Sequence, residues 1–220
     1  MPGWAAGPRG VGHNRGMGFY GEQVLPRFVD IALSGGAFSR LRERVTSGLE
    51  GEVLEVGFGS GRNVPYYPDA VTRVWAVDPA VTGRRLAAAR LAASRVPVDY
   101  VGLDGEQLPL GDSSVDSVLT TWTLCTIPAA EQALSEIRRV LRPGGALHFI
   151  EHGRAPDPRV ARWQDRFTPV QRFVAGGCHL NRQIDTLIAA SGLEVEHMQN
   201  FFVKGPKAFG YMYEGRARRT

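Results

Sequence analysis

Residues 53–61, Val-Leu-Glu-Val-Gly-Phe-Gly-Ser-Gly, constrain the fold of this chain more than any other stretch. An apolar run of strand length ends there in a Glu-x-Gly-x-Gly-x-Gly turn. Glycine has no Cβ and tolerates positive φ, so such a turn lets backbone approach a ligand closely. A second apolar run, 71–77, ends in Asp78, 21 residues after Gly57. A glycine turn after one strand and a carboxylate after the next form a pair suited to a nucleoside. The loop covers its chain or phosphates, and the carboxylate accepts from both ribose hydroxyls.

The rest of the chain supplies the sheet for this turn. Strands are predicted at 53–57, 71–77, 97–101, 114–121 and 145–151, with helices near 80–94 and 129–141. Such alternation predicts a parallel sheet with helices on both faces. Leu141-Arg142-Pro143-Gly144-Gly145 stops a helix and starts a strand. A helix near 182–191 and two strands, about 193–200 and 207–213, are expected to close the sheet as an antiparallel hairpin. The predicted class is α/β: a seven-stranded, Rossmann-like sheet, mostly parallel, with helices on both faces. Residues 1–17, with five glycines and two prolines, read as a flexible tail, and 18–213 as one domain. Within it, 18–47 is expected to be a helical lid hinged at Gly35-Gly36, 52–151 the cofactor-binding core, and 152–213 an acceptor-side cap with the closing strands. Residues 214–220 read as a basic tail.

In an open parallel sheet a ligand sits beyond the carboxyl ends of the strands. The first strand offers Gly57, Gly59 and Gly61, with Glu55 behind them to receive an ammonium group or to orient the loop. The second offers Asp78 and the adjoining Pro79. After the third come Asp104 and Gly105, a carboxylate for an adenine amine and a backbone N–H for a ring nitrogen. After the fourth come Thr121 and Trp122. Dinucleotide sites usually read Gly-x-Gly-x-x-Gly and offer a helix N-terminus to a pyrophosphate. This chain reads Gly-x-Gly-x-Gly, with Arg62 in the sixth position. The spacing therefore predicts S-adenosylmethionine, with S-adenosylhomocysteine as its demethylated product, over a nicotinamide dinucleotide. No metal is expected.

Composition bounds the partners. The net charge of +4 derives from arginine, since lysine occurs only at 204 and 207. Arg9, Arg15, Arg216, Arg218 and Arg219 lie at the two ends, so the charge reads as compositional, and no nucleic-acid partner is expected. Cys125 and Cys178 stand far apart without metal-ligand spacing, which favours reduced thiols and a cytoplasmic location. No stretch approaches the ~20 apolar residues that span a bilayer, so no membrane span is expected. Oligomeric state is left open.

The motifs VLEVGFGSG, VWAVDP, LDGEQLPLGDSSVDSVLTTWTL and RRVLRPGGALHFIEHG resemble the class I S-adenosylmethionine-dependent methyltransferases, from about Phe19 to Tyr213. Glu151-His152-Gly153, Trp163-Gln164, the Gly177–Arg182 run, Gly205-Pro206, Gly210-Tyr211 and Leu124-Cys125 resemble a narrower family. It includes the animal microsomal thiol S-methyltransferases and their bacterial relatives. Those animal enzymes begin with a hydrophobic anchor, whereas this sequence begins with a glycine-rich stretch. The resemblance implies methyl transfer to a small-molecule acceptor, best a small apolar thiol. O-, N- or C-methylation of a phenol, quinone or lipid headgroup ranks second and RNA methylation lower. The chain lacks the Asn/Asp-Pro-Pro-aromatic loop and the Pro-Cys pair of nucleic-acid enzymes. Candidate proton acceptors are His152 and His179, with Glu151 to orient either and Arg182 as a nearby cation. Cys178 is expected to be an ordinary small residue rather than a methyl carrier, and His148 a structural one. Trp122, Trp163, Phe167 and Phe173 are expected to wall an apolar pocket or to fill the core.

Overall fold

β1 (Gly51–Val56) lies in the middle of the sheet, and its last four residues are fully buried. A strand covered on both faces reads as a continuous apolar run without alternation. The computed structural model describes residues 24–102 and 104–220. The expected tail at 1–17 and the start of the expected lid lie outside the described residues. β2 (Val71–Val77) and β4 (Val115–Thr121) flank β1, β3 (Val98–Gly102) pairs with β2, and β5 (Leu141–His152) pairs with β4, all parallel. β7 (Tyr211–Arg218) runs antiparallel to β5, and β6 (Glu194–Phe202) antiparallel to β7. The order is β3-β2-β1-β4-β5-β7-β6, the expected seven-stranded mixed sheet.

Six helices accompany it among the described residues: α1 (Leu25–Ala32), α2 (Gly36–Thr46), α3 (Val81–Ala92), α4 (Ala130–Val140), α5 (Pro158–Val174) and α6 (Ile184–Ala190). One apolar core layer joins Leu54, Val118, Leu134, Ile137, Leu147, Phe149 and Ile184. A second joins Leu41, Val45, Leu49, Val53, Val74, Leu119 and Ile150. α2 is a docked layer helix. Arg44 reaches Glu214 of β7 with two hydrogen bonds, one of 2.8 Å from Nε. His148 is buried, with the Val45 backbone carbonyl among the groups beside its ring.

Two expectations are corrected, and one segment left unassigned takes a definite form. The closing strand occupies 211–218 rather than 207–213, so most of the expected basic tail is a paired interior strand. Residues 207–209 form a 3-10 turn before it. Arg142–Gly145 lies within β5, and the β4–β5 register shifts there, with Val115 opposite Leu141 and Ser117 opposite Ala146. The Pro-Gly-Gly segment is thus a bulge in a long strand. The aromatic segment after residue 157 is a 17-residue helix, capped by the Asp157 carboxylate, which accepts from the Arg159 N–H at 2.8 Å.

Candidate functional site

All five parallel strands deliver their carboxyl ends to one edge, and the strand order diverges from β1 towards β2 on one side and β4 on the other. The glycine turn leaves β1 at this divergence. Gly57, Gly59 and Gly61 have φ of 80°, 55° and 71°, all in the left-handed region. At Gly57 glycine is required twice over, since a Cβ would also lie 2.0 Å from Thr123 Oγ1.

The Asp78 carboxylate, 6% exposed, sits against this turn. Oδ2 accepts the Gly59 N–H and Oδ1 the Ala80 N–H, both at 2.7 Å. Burial raises its pKa, against the pull of those two backbone donors. Each oxygen keeps a second acceptor lone pair. Pro79 joins Asp78 to Ala80, the residue before α3.

Glu55 lies behind the loop, buried and already engaged. Its Oε1 accepts from Asn63 Nδ2 at 2.9 Å, and its Oε2 from the Tyr67 hydroxyl. Desolvation lifts its pKa to about 7. Both carboxylate oxygens are thus engaged by side chains of the segment that follows the glycine turn. Asn63 also donates to Thr121 Oγ1 at 3.0 Å, while its own Oδ1 is buried with no partner among the described residues. Sequence reasoning missed Asn63 and Tyr67, because neither belongs to the glycine pattern. It also missed Asp30 of α1, which accepts from Arg62 at 2.6 and 2.7 Å and from the Ser60 hydroxyl, clasping α1 to the loop.

Trp122 follows β4 with φ 53°, one of two non-glycine residues at positive φ among those described. This conformation costs about 1–3 kcal/mol and persists only where surroundings impose it. Its N–H donates to the Ile150 carbonyl at 2.8 Å, Phe38 meets its ring edge-on at 5.4 Å, and the Arg42 guanidinium lies 4.8 Å above it. Arg42 is itself buried, and desolvation lowers its pKa to about 10. Asp104 and Gly105 occupy the turn after β3. Asp104 Oδ1 accepts the Glu106 N–H at 2.8 Å, and Gly105 backs onto Val56.

The acceptor side is built on β5 and the loop after α5. Glu151 is fully buried, and its oxygens accept the N–H groups of Thr123 and Cys125 at 3.1 and 3.2 Å. Burial raises its pKa to about 7. Its acceptors serve the turn after β4 rather than either histidine, which corrects the expected orienting role. His152 is buried, and neither ring nitrogen has a hydrogen-bond partner among the described residues. The polar group beside it is the Cys178 thiol, which lies 4.0 Å from the Cys125 sulfur. His179 donates its backbone N–H to the Cys125 carbonyl at 2.8 Å. Burial, with Arg182 and Arg172 nearby, lowers its imidazole pKa and favours the neutral form. Arg182 Nη1 donates to the carbonyls of Leu124 and Ile127, at 2.5 and 2.6 Å. Sequence reasoning named Arg182 as a cation. Here it latches the β4 turn to the cap.

Trp163, Phe167 and Phe173 do not wall this site, being 54%, 37% and 70% exposed on α5. The buried face of α5 is partly polar instead, with Gln164 joining Ala155, Gly153 and Ala208 by hydrogen bonds of 2.8, 2.9 and 3.3 Å. A depression of about 430 Å³ between residues 64–67 and the end of α3 contains none of these strand-end groups. No group of three or more metal-ligating side chains occurs among the described residues.

Two features fit a bound S-adenosylmethionine. A Cβ on Gly59 would touch nothing closer than 4.0 Å, so that face of the loop is open, and the Asn63 oxygen is buried with no partner among the described residues. A family model described as a methyltransferase domain matches residues 54–149. The thiol S-methyltransferase TMT1A of Homo sapiens is 32% identical over 202 residues, covering 87% of this chain and 80% of that protein. The thiol S-methyltransferase TMT1B of Rattus norvegicus is 33% identical over 150 residues, covering 66% of this chain. The match spans 61% of the length of the rat relative. A solved geranyl diphosphate methyltransferase in complex with SAM shares the fold, at TM-score 0.66 and 13% identity over 94% of this chain and 93% of that one. The chain belongs to the class I S-adenosylmethionine-dependent methyltransferase family. Within it, the similarity runs to the thiol S-methyltransferases TMT1A and TMT1B.

Proposed function

We propose that this chain methylates a small molecule, with a small apolar thiol as the favoured acceptor. The observation that carries this is a shared edge: the glycine cradle and Asp78 lie at the same strand ends as the buried imidazole of His152, which has no hydrogen-bond partner among the described residues. When bound, S-adenosylmethionine supplies a methyl group on a positively charged sulfur. Asp78 accepts from the ribose hydroxyls with its remaining lone pairs. Asp104 and Gly105 serve the adenine edge, with Pro79 bordering it. Asn63, held by Glu55 and Thr121, turns its free oxygen to the amino-acid end, and Trp122 borders the sulfur. His152 or His179 would take the acceptor's proton at a ring nitrogen, leaving the acceptor atom nucleophilic towards the methyl group that the cofactor would supply. Glu151 is a positioning residue that holds the turn carrying Trp122. α1, tied to the glycine loop through Asp30, and α2 form the lid over the bound cofactor. Two free thiols suit a reducing, cytoplasmic compartment.

A thiol needs little help, because thiolate forms near neutral pH from a free thiol of pKa ~8.5. O-methylation of a phenol ranks second, favoured by the neutral His179. Labelled cofactor offered with panels of thiols, phenols, amines and RNA tests the choice. Turnover confined to thiols is expected, and turnover of another class alone overturns it.

A further inference from the structure

Helix α5 carries its aromatic residues on the outside. At helical spacing Trp163, Phe167 and Val170 fall on one stripe, 54%, 37% and 59% exposed, with Phe173 at 70% beyond them. Trp163 stacks on Phe167 at 5.3 Å, and Phe167 meets Phe209 of the 207–209 turn at 6.1 Å. The patch is therefore continuous across two elements. Exposed apolar surface of this kind on an otherwise ordinary domain marks a contact site.

The charge around the stripe says what it contacts. Arg159, Arg162 and Arg166 are exposed along its solvent-facing flank, and none makes an ion pair among the described residues. The helix has one acid, Asp165, and that is held by Arg154 at 2.6 Å and Asn181 at 2.8 Å. In the 207–209 turn, exposed Lys207 lies 5.7 Å above the ring of Phe202. Aromatic and aliphatic groups beside a row of cations suit a helix lying in a bilayer interface, rings among the acyl chains and guanidinium groups at the phosphates. A second copy of the same face would set arginine against arginine, which disfavours self-association.

We propose that the α5 face docks on an anionic phospholipid bilayer. No helix among the described residues is long and apolar enough to cross a membrane, so the contact is peripheral. The loop after α5 carries Cys178 and His179, and docking would hold that loop at the lipid surface, where apolar acceptors concentrate. The docking itself does not depend on the methyl-transfer proposal.

Flotation of the full chain with vesicles tests it. Wild type is expected to float with phosphatidylcholine containing about 30% phosphatidylglycerol, and to stay behind with phosphatidylcholine alone. Binding should fall steeply at about 0.5 M salt. Each arginine near an anionic surface contributes roughly fivefold in partitioning. An Arg159→Gln/Arg162→Gln/Arg166→Gln variant should therefore lose more than about tenfold. A Trp163→Ser/Phe167→Ser/Phe173→Ser variant, checked for cooperative unfolding and cofactor binding, should lose a comparable amount. If that variant does not fold, the arginine variant decides alone. Failure of wild type to float with anionic vesicles overturns the proposal, as does flotation of the arginine variant at the wild-type level. A wild-type dimer in sedimentation that the serine variant loses would assign the face to a second copy and overturn it too.

Discussion

The sulfurs of Cys178 and Cys125 face each other at 4.0 Å across the junction between the acceptor cap and the β4 turn. Their environments push them apart. The Cys125 thiol and the His152 imidazole lower the pKa of Cys178, while Cys178, burial and Glu151 raise that of Cys125. Thiolate is the reactive form, so the two should differ sharply towards an alkylating agent. Iodoacetamide at neutral pH should label Cys178 at least about tenfold faster than Cys125. His152→Gln should slow that labelling. Peptide mass spectrometry after brief exposure checks this, and equal labelling, or Cys125 first, would refute the assignment.

Asp78 does two jobs at once. It ties the glycine turn to the start of α3, and in the proposed function its remaining lone pairs receive the ribose hydroxyls. Asp78→Ala should weaken S-adenosylhomocysteine binding by ~1.5–3 kcal/mol, the range for hydrogen bonds to charged groups. The variant should also unfold at a lower temperature, because the Gly59 and Ala80 N–H groups lose their acceptor. Calorimetric titration alongside a thermal melt separates the two losses. Unchanged affinity in a folded variant would remove Asp78 from the cofactor site.

Glu55 makes stability fall as pH rises. Unfolded, its carboxyl titrates at the ordinary 4.5; folded, desolvation moves this to about 7. Between those values the folded state keeps a proton that the unfolded chain has lost. The contribution is therefore whole below about 4.5 and lost as pH passes about 7. Glu151 acts in the same direction, raised to about 7. His148 opposes them: burial lowers it from 6.5 to about 4, so its contribution is present above 6.5 and is lost as pH falls towards 4. Glu55→Gln removes one titration while its steric and hydrogen-bonding cost stays constant. Its stability relative to wild type should improve by roughly 2–3 kcal/mol between pH 5 and pH 8. Denaturant melts at the two pH values measure that difference, and a flat or falling one would show that Glu55 is ionised throughout.

The candidate cofactor edge was legible in the sequence as strand ends because its signals are local. Gly57, Gly59, Gly61 and Asp78 stand where apolar runs end, and each run marks a strand. Glu214 and Arg216 hid β7, since charges in a final segment read as a tail. Only the fold reveals that Glu214 is buried against Arg44 and that the strand pairs on both sides. α5 misled in the opposite way. Its Trp163 and Phe167 suggest a core or pocket face, yet the buried side is held by Gln164 through contacts with residues 153, 155 and 208. Asn63, Asp30 and the latch made by Arg182 rest on partners 8 to 58 residues away. No periodicity announces them. The same holds for Glu151, whose place under the β4 turn only tertiary structure decides.

The histidines give the final test, and proton demand is its lever. A thiol acceptor ionises substantially by itself as pH approaches ~8.5, whereas a phenol, with pKa ~10, depends more on a base. His179, held neutral by burial and the neighbouring arginines, can take a proton at neutral pH. His152, in the same region, has two ring nitrogens without partners among the described residues. If thiols are the acceptors, His152→Ala and His179→Ala should each lose about 10- to 100-fold in kcat at pH 7 and recover much of it by pH 8.5. Cofactor affinity should change little, since neither ring is assigned to the nucleoside side. Rate profiles from pH 6 to 9 with one thiol and one phenol separate the outcomes. A loss that persists unchanged at pH 8.5 with a thiol would remove proton transfer from the role of these histidines, leaving them as packing groups beside Cys178.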